Sequence, residues 1–498
     1  MTKIVKIQLI LFSALLILWN IFTPILEGAD ESGHFCHADY IAHKGKIPNI
    51  KIQDGCYLWH PPFYYSMLAP IIKVFGLPEY PQSQLEMNPN FNLLRKGEYS
   101  QFVHTKEELM LGWGRLEFLV HTLRLFSVLC AIGIFLIAVQ LLKFTLKNES
   151  QRTLSLLFLF NPMFIHIFTT LTNVTLLSFI SALFLFIELK YFKSLKPAKI
   201  HVLQGFLLGI GFLTKITFVA AGAFYLSVAL LKLRNRPESL RRSAIEILIF
   251  ISTFMIVTGW YLARALTLYD TPLEINALTQ AQGGDHHLDL LENIGPLNYW
   301  NSFALTLFRT FWSGYGALTV RFPEILNLVL LISVMLVIIA AIKKWKRTNA
   351  YFKLSALYLA VTFITLIIGN FTLSAMHAKD LFPAYLPISF LFAYGASNLT
   401  KVFKKNGKMI FLGIPVAIYF FAQNEVVGIL KLLFFQESQG AYLKPLIVKV
   451  TTVLALYGLI YQGLKKLKIN NRWHIKITFT LFVANIVILA ISTYLFYS

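Results

Sequence analysis

Apolar runs close to the length that crosses a bilayer, about 20 residues, recur along the whole chain with short polar connections between them. They lie near 7–26, 117–142, 152–170, 174–191, 202–214, 217–231, 244–265, 323–342, 352–370, 381–400, 409–424, 445–464 and 477–497. This pattern predicts an all-α polytopic membrane protein of about thirteen transmembrane helices, because a helix satisfies its own backbone hydrogen bonds within lipid. The first run follows Lys3 and Lys6 as a signal peptide would. It is long for such a segment, lacks a small-x-small cleavage site and ends in Pro24 and Glu27, so it reads as a retained helix.

The basic residues test this threading, since lysine and arginine collect in cytoplasmic connections. Successive clusters fall at Lys143, Lys147 and Arg152, then at Lys190, Lys193, Lys196 and Lys199, then from Lys232 to Arg242. Later ones are "KKWKR" at 343–347, Lys401 to Lys408, and "KKLK" at 465–468. All share one side only if the chain turns at Lys215. Gly209, Gly211 and Gly222 make a break there plausible, which sends Lys215 to the outer face. Two long connections, about 27–116 and 266–322, then share that outer face. Long connections in compact domains are usually functional.

Composition supports the same class. Hydrophobic residues make up 56% of the 498 and charged residues only 14%, against about a quarter charged in soluble domains. The net charge of +21 sits in short clusters between apolar runs, which fits membrane topology and argues against nucleic acid as a partner.

The densest polar chemistry follows the first apolar run, in "EGADESGHFCHADY" at 27–40. Asp30, Glu31 and His34 stand there at the bilayer boundary, where a carboxylate beside apolar surface suits a general base. A plain interfacial helix stop is the competing reading. "LWHPPFYYSML" at 58–68 predicts an interfacial helix that opens at Pro61 and Pro62 and presents His60 and Tyr64 at headgroup depth. Its alternative is an aromatic anchor without chemistry. Arg124, Lys215, Arg264 and Lys379, the last followed by Asp380, are isolated charges in or beside apolar segments, and such charges are functional candidates. If their segments bundle, these cations converge on the outer half of the membrane and fit a phosphate; snorkelling to ordinary lipid phosphates is the alternative.

Cys36 and Cys56 both fall on the outer side, where disulfides persist, and a bond between them would tie the acidic stretch to the "HPPFYY" stretch. Cys130 reads as a core residue. "GGDHHLDLLE" brings Asp285, His286, His287 and Asp289 together, but adjacent histidines seldom ligate one ion and no HExxH spacing occurs. A substrate-gating loop is the better reading, and no metal ligand is assigned.

The acidic pair after the first helix, the interfacial "HPPFYY" and the long first outer loop together resemble the GT-C superfamily of membrane glycosyltransferases. The likeness is to its lipid-carrier-dependent members, the aminoarabinose-transferase and protein-mannosyltransferase-like group. "RLFSVL", "FNPMF", "TNVTLLSF", "FLTK", "GWYLARALTLYDTPL", "FWSGYG" and "KDLFPAYLP" follow in order over roughly residues 1–400. The resemblance implies a GT-C-like transmembrane catalytic module over 1–400, its long first outer loop carrying interfacial helices, with accessory transmembrane helices over 401–498. It implies a polyprenyl-phosphate-linked donor, a lipid, glycan or protein acceptor, and a plasma (inner) membrane enzyme working at the extracytoplasmic face. Asp30 would be the base, Glu31 would orient it or share a metal, and Lys215, Arg264, Lys379 and Arg124 would hold the phosphate. His34, His60 and Tyr64 would line the substrate. Members often carry an acid where this chain has Asn173, so a divalent cation is left as an open cofactor rather than an assigned one. Many read Gly-Arg-Tyr where this chain has Ala378, Lys379 and Asp380. A non-catalytic lipid or polysaccharide transporter is the rival reading. Transporters show repeated halves and midplane charges, whereas these charges hug one face and no repeat is visible.

Overall fold

Every element longer than an isolated bridge is helical among the described residues of the computed structural model. These residues are 1–52, 60–79, 86–89, 100–104, 108, 111–193, 197–235, 240–273, 295–316, 321–322, 324–370 and 377–402, with 478, 481–483, 485–486 and 489 near the end. Helix α1 (Lys3–Phe22) opens on Thr2, whose hydroxyl accepts from the Val5 amide. Two helices, α2 (Glu31–Lys44) and α3 (Phe63–Phe75), pack on each other before α4 (Arg115–Thr145). The chain continues through α5 (Glu149–Phe158), α6 (Pro162–Ile167), α7 (Asn173–Lys190), α8 (Ala198–Phe212), α9 (Val219–Asn235) and α10 (Leu240–Tyr269). It ends its described core with α11 (Pro296–Trp312), α12 (Glu324–Lys343), α13 (Ala350–Gly369) and α14 (Tyr385–Val402).

Seven helices among the described residues are long and apolar enough to cross a membrane. The expected thirteen are not all accounted for: segments 409–424 and 445–464 lie outside the described residues, and few residues of 477–497 are described. The segment expected as one span at 152–170 is instead two short helices, α5 and α6. Pro162 lacks an N–H and clashes with the preceding turn, and Asn161 caps the new helix by accepting from the Met163 amide at 3.0 Å. The segment expected at 381–400 begins with a 3-10 turn, Ala378–Ala384, that contains Pro383 and then becomes α14.

The break expected at Lys215 is present. Helix α8 stops at Phe212, a 3-10 turn covers Ile216–Phe218, and α9 starts at Val219. Small residues bring α8 against α10: a Cβ on Gly205 would stand 2.4 Å from the Phe250 carbonyl oxygen, and one on Gly209 2.6 Å from Val257. Such spacing lets backbones approach closely in lipid, where no hydrophobic drive brings helix to helix and van der Waals packing must do so. Elsewhere the core is aromatic, with Phe158 set among Phe311, Trp312, Tyr385 and Phe392. Asn485 donates to the Phe160 carbonyl at 2.8 Å, so the last described residues return to the first half of the chain.

Candidate active site

The turn between α1 and α2 decides where two adjacent carboxylates go. Asp30 precedes α2 with φ 62° and ψ 12°, a left-handed conformation that Asp adopts more readily than most side chains. Gly28 makes room for it: a Cβ there would lie 2.7 Å from Thr170 and 2.9 Å from a Glu31 oxygen. Glu31 points inward and is fully buried. Its Oε1 accepts from Arg124 Nε at 2.7 Å and from the Leu171 amide at 2.8 Å; its Oε2 accepts from Arg124 Nη2 at 2.7 Å and the Gly28 amide at 2.9 Å. Arg124, also fully buried, donates in addition to the Thr23 and Pro24 carbonyls at 2.7 Å each. This bidentate pair joins α1, α2, α4 and the connection before α7.

Asp30 points the other way and its side chain is 54% exposed. Its Oδ2 accepts from Lys379 Nζ, which also lies 3.5 Å from the Ala29 carbonyl oxygen. The turn carrying Lys379 is held by two bonds: the Lys379 amide donates to His377 Nδ1 at 2.9 Å, and the Ala378 amide to Thr310 of α11 at 3.0 Å. One residue later Asp380 accepts from Lys215 at 2.5 Å. Two carboxylate–ammonium pairs therefore stand side by side, built from the head of α2, the α8–α9 turn and the 3-10 turn before α14.

Electrostatics follows this layout. The Lys379 ammonium holds the Asp30 carboxyl well below the usual carboxylate range, against the opposing effect of burial. Burial alone would raise the Asp380 carboxyl, but Lys215 and Lys379 outweigh it and lower it. His34 and His60 are pushed down by burial first and then by the two lysines, and His377 is lowered to about 3 by burial and Lys379. All three rings are neutral at physiological pH. His34 shares a hydrogen bond of 2.8 Å with the Tyr65 hydroxyl and stacks on His60 at 5.7 Å between centroids, while His37 stacks on Tyr65 at 3.9 Å. Tyr64 is fully buried against Tyr65 and Phe126. The Phe63 amide donates to the Leu213 carbonyl at 2.9 Å, which docks the start of α3 on the turn that bears Lys215.

The structure thus brings together Asp30, His34, His60, Lys215 and Lys379. Arg124 is committed to Glu31, and Arg264 donates to the Pro48 carbonyl at 2.8 Å, tying the end of α10 to the chain after α2. Asp380, His377, Tyr65 and His37 belong to the cluster and were not among the expected site residues. The "HAKDLF" string carried two of them, and the adjacent Lys-Asp pair was the signal. Cys36 is disulfide-bonded and Cys130 is a buried free thiol; the expected partner Cys56 lies outside the described residues, as do Asp285, His286, His287 and Asp289. Among the described residues no three His, Cys, Asp or Glu side chains converge to hold a metal. Asp30 and Asp380 already face ammonium groups, so the donor set does not fit a divalent cation.

No protein-family model matches the sequence, and no curated protein matches it. Solved structures do. The crystal structure of ArnT from Cupriavidus metallidurans bound to undecaprenyl phosphate superposes with a TM-score of 0.54 at 11% identity, over 99% of this chain and 77% of that one. The apo structure of the same protein gives 0.53 at 12% identity, over 98% and 76%. At such identity the likeness concerns the backbone, and it spans nearly the whole chain: this protein shares the fold of the ArnT structures.

Proposed function

We propose that the protein is a glycosyltransferase that moves a hexosyl or pentosyl group from a polyprenyl-phosphate-linked donor to a hydroxyl of an extracytoplasmic acceptor. The observation that carries this reading is the half-open Asp30–Lys379 pair, set beside Lys215–Asp380 and backed by neutral histidines. The ArnT structure that holds undecaprenyl phosphate supports the donor class. The catalytic module is residues 1–400, and 401–498 is accessory.

In this mechanism the donor phosphate draws the Lys379 ammonium away from Asp30. The carboxylate loses the charge that depresses its pKa and becomes a usable base. Asp30 takes the acceptor proton as the acceptor oxygen bonds to the anomeric carbon. The bond from that carbon to the phosphate oxygen breaks, and its electron pair leaves with polyprenyl phosphate. Lys379 and Lys215 neutralise the charge that develops on the leaving phosphate. A lipid phosphate is already a good leaving group, so cations matter here more than a strong acid. Glu31, with both oxygens occupied by Arg124 and two amides, acts as a positioning residue that fixes the turn on which Asp30 stands.

Mass spectrometry of lipid-linked sugars and envelope glycans from cells with the wild-type chain, with Asp30→Asn and without the gene tests this directly. One polyprenyl-phosphate sugar should accumulate and one glycan decoration vanish in both defective strains. Full decoration by a normally inserted Asp30→Asn protein would remove Asp30 as the base. Unchanged sugars with a mislocalised lipid-linked precursor would mark a transporter instead.

A further inference from the structure

A second charged region lies at the other end of the bundle, and its cations are disposed very differently. Arg124 and Thr145 are both on α4, and twenty-one residues of α-helix separate them by about 30 Å, the thickness of a bilayer's hydrocarbon core. Arg124 belongs to the Glu31 corner, whereas Thr145 borders a cavity of about 410 Å³ between the α4–α5 connection, the α12–α13 connection and α14. Lys147, Lys344 and Arg347 line this cavity, and no carboxylate does among the described residues. None of the three forms an ion pair with a described residue. Two helix N-termini open onto it, those of α5 and α13, whose cap positions Asn148 and Asn349 are also in the lining. The partial positive charge of helix N-termini adds to that of the side chains. Asn398 Nδ2, a buried donor on the cavity wall, has no acceptor among the described residues.

Three cations without counter-ions among the described residues, two helix N-termini and a buried donor with no acceptor among those residues form a site that is short of one partner, an anion with several acceptor oxygens. We infer that this cavity binds the phosphate headgroup of an anionic phospholipid from the leaflet opposite the Asp30 site. The lysine- and arginine-rich connections mark that leaflet as the cytoplasmic one, whose anionic lipids are drawn to basic pockets between transmembrane helices. Exposed apolar side chains on the adjoining helix, such as Ile339 and Ile342 of α12, offer the acyl chains a surface beside the headgroup. The site depends on no step of sugar transfer.

The test uses the full chain in phosphatidylcholine nanodiscs, with short-chain phosphatidylglycerol, short-chain phosphatidylcholine and inorganic phosphate as separate probes read by native mass spectrometry and thermal shift. Phosphatidylglycerol should bind at least roughly tenfold more tightly than phosphatidylcholine, and the K147Q/K344Q/R347Q variant should lose on the order of a hundredfold of that affinity. Millimolar inorganic phosphate should not displace it. Equal binding of the two lipids, or wild-type binding by the triple variant, would overturn the site. Displacement by inorganic phosphate would overturn the lipid assignment in favour of a soluble anion. Asn398→Leu, which changes no charge, guards against misfolding of the triple variant. It should weaken phosphatidylglycerol roughly fivefold to tenfold through the lost hydrogen bond, and an unchanged affinity would remove Asn398 from the site.

Discussion

Asp30 and Glu31 are neighbours in the chain and opposites in their surroundings. Glu31 is closed: fully buried, bidentate to Arg124, with two backbone amides completing its shell. Asp30 is open: about half of its side chain faces outward, and its one strong partner is a lysine. The difference teaches that a pair of acids beside a membrane helix need not share one task. A carboxylate whose oxygens are all occupied cannot take a proton without breaking the corner it holds. One with a single displaceable ammonium can.

The comparison breaks most sharply at Asp30. Asp30→Asn should insert and melt close to wild type, because the isosteric amide keeps an oxygen for the Lys379 ammonium on a half-exposed side chain, while sugar transfer falls by roughly a hundred- to ten-thousand-fold, the range for loss of a general base. Thermal melts alongside transfer assays separate the two effects. The reverse result is expected at the closed pair. Arg124→Met strands a buried carboxylate and should cost about 3–5 kcal/mol, seen as loss of folded protein in detergent, whereas Arg124→Met combined with Glu31→Met should recover much of it. Equal stability of the single and double variants would mean that the pair does not clamp the turn.

Lys379→Met sharpens the open side. Removing the ammonium that lowers the Asp30 carboxyl should move the acidic limb of the pH–activity profile upward by about one unit or more, together with weaker donor binding. A profile that stays in place would show that Lys379 does not set the charge on Asp30.

The smallest expected effect lies in a second closed cluster of the same face. His104 pairs with Glu27 at 2.9 Å through Nε2 and with Glu108 at 2.8 Å through Nδ1. Burial alone would lower this imidazole, but the two carboxylates raise it from 6.5 to about 9. A raised folded-state value contributes stability that is complete below pH 6.5 and is lost as pH rises through about 9. The melting temperature should therefore fall between pH 7 and 10, and His104→Gln should flatten that fall. An unchanged slope would assign it to other groups.

Much of the candidate site was legible one residue at a time. An acid directly after an apolar span, a histidine before Pro-Pro and lysines within apolar stretches each stand out because lipid makes isolated polarity costly. Their pairing was not legible. Arg124 and Lys379 both read as phosphate-binding cations, yet one is committed to Glu31, 93 positions away, and the other reaches Asp30 across 349. Asp380, one residue beyond Lys379, gave no sign that it would face Lys215.

What the sequence determined by itself was local: which segments are apolar enough to leave water, and where Lys215 interrupts them. Each spanning helix satisfies its own backbone hydrogen bonds, so these properties need no distant partner. Only the tertiary structure decided which charges neutralise one another, that Pro162 splits an expected span in two, and that Asp30 stays open while Glu31 closes. Those outcomes depend on which helices pack together, through contacts such as Gly28 against Thr170, and such contacts are set by shape across the fold rather than by any stretch of chain alone.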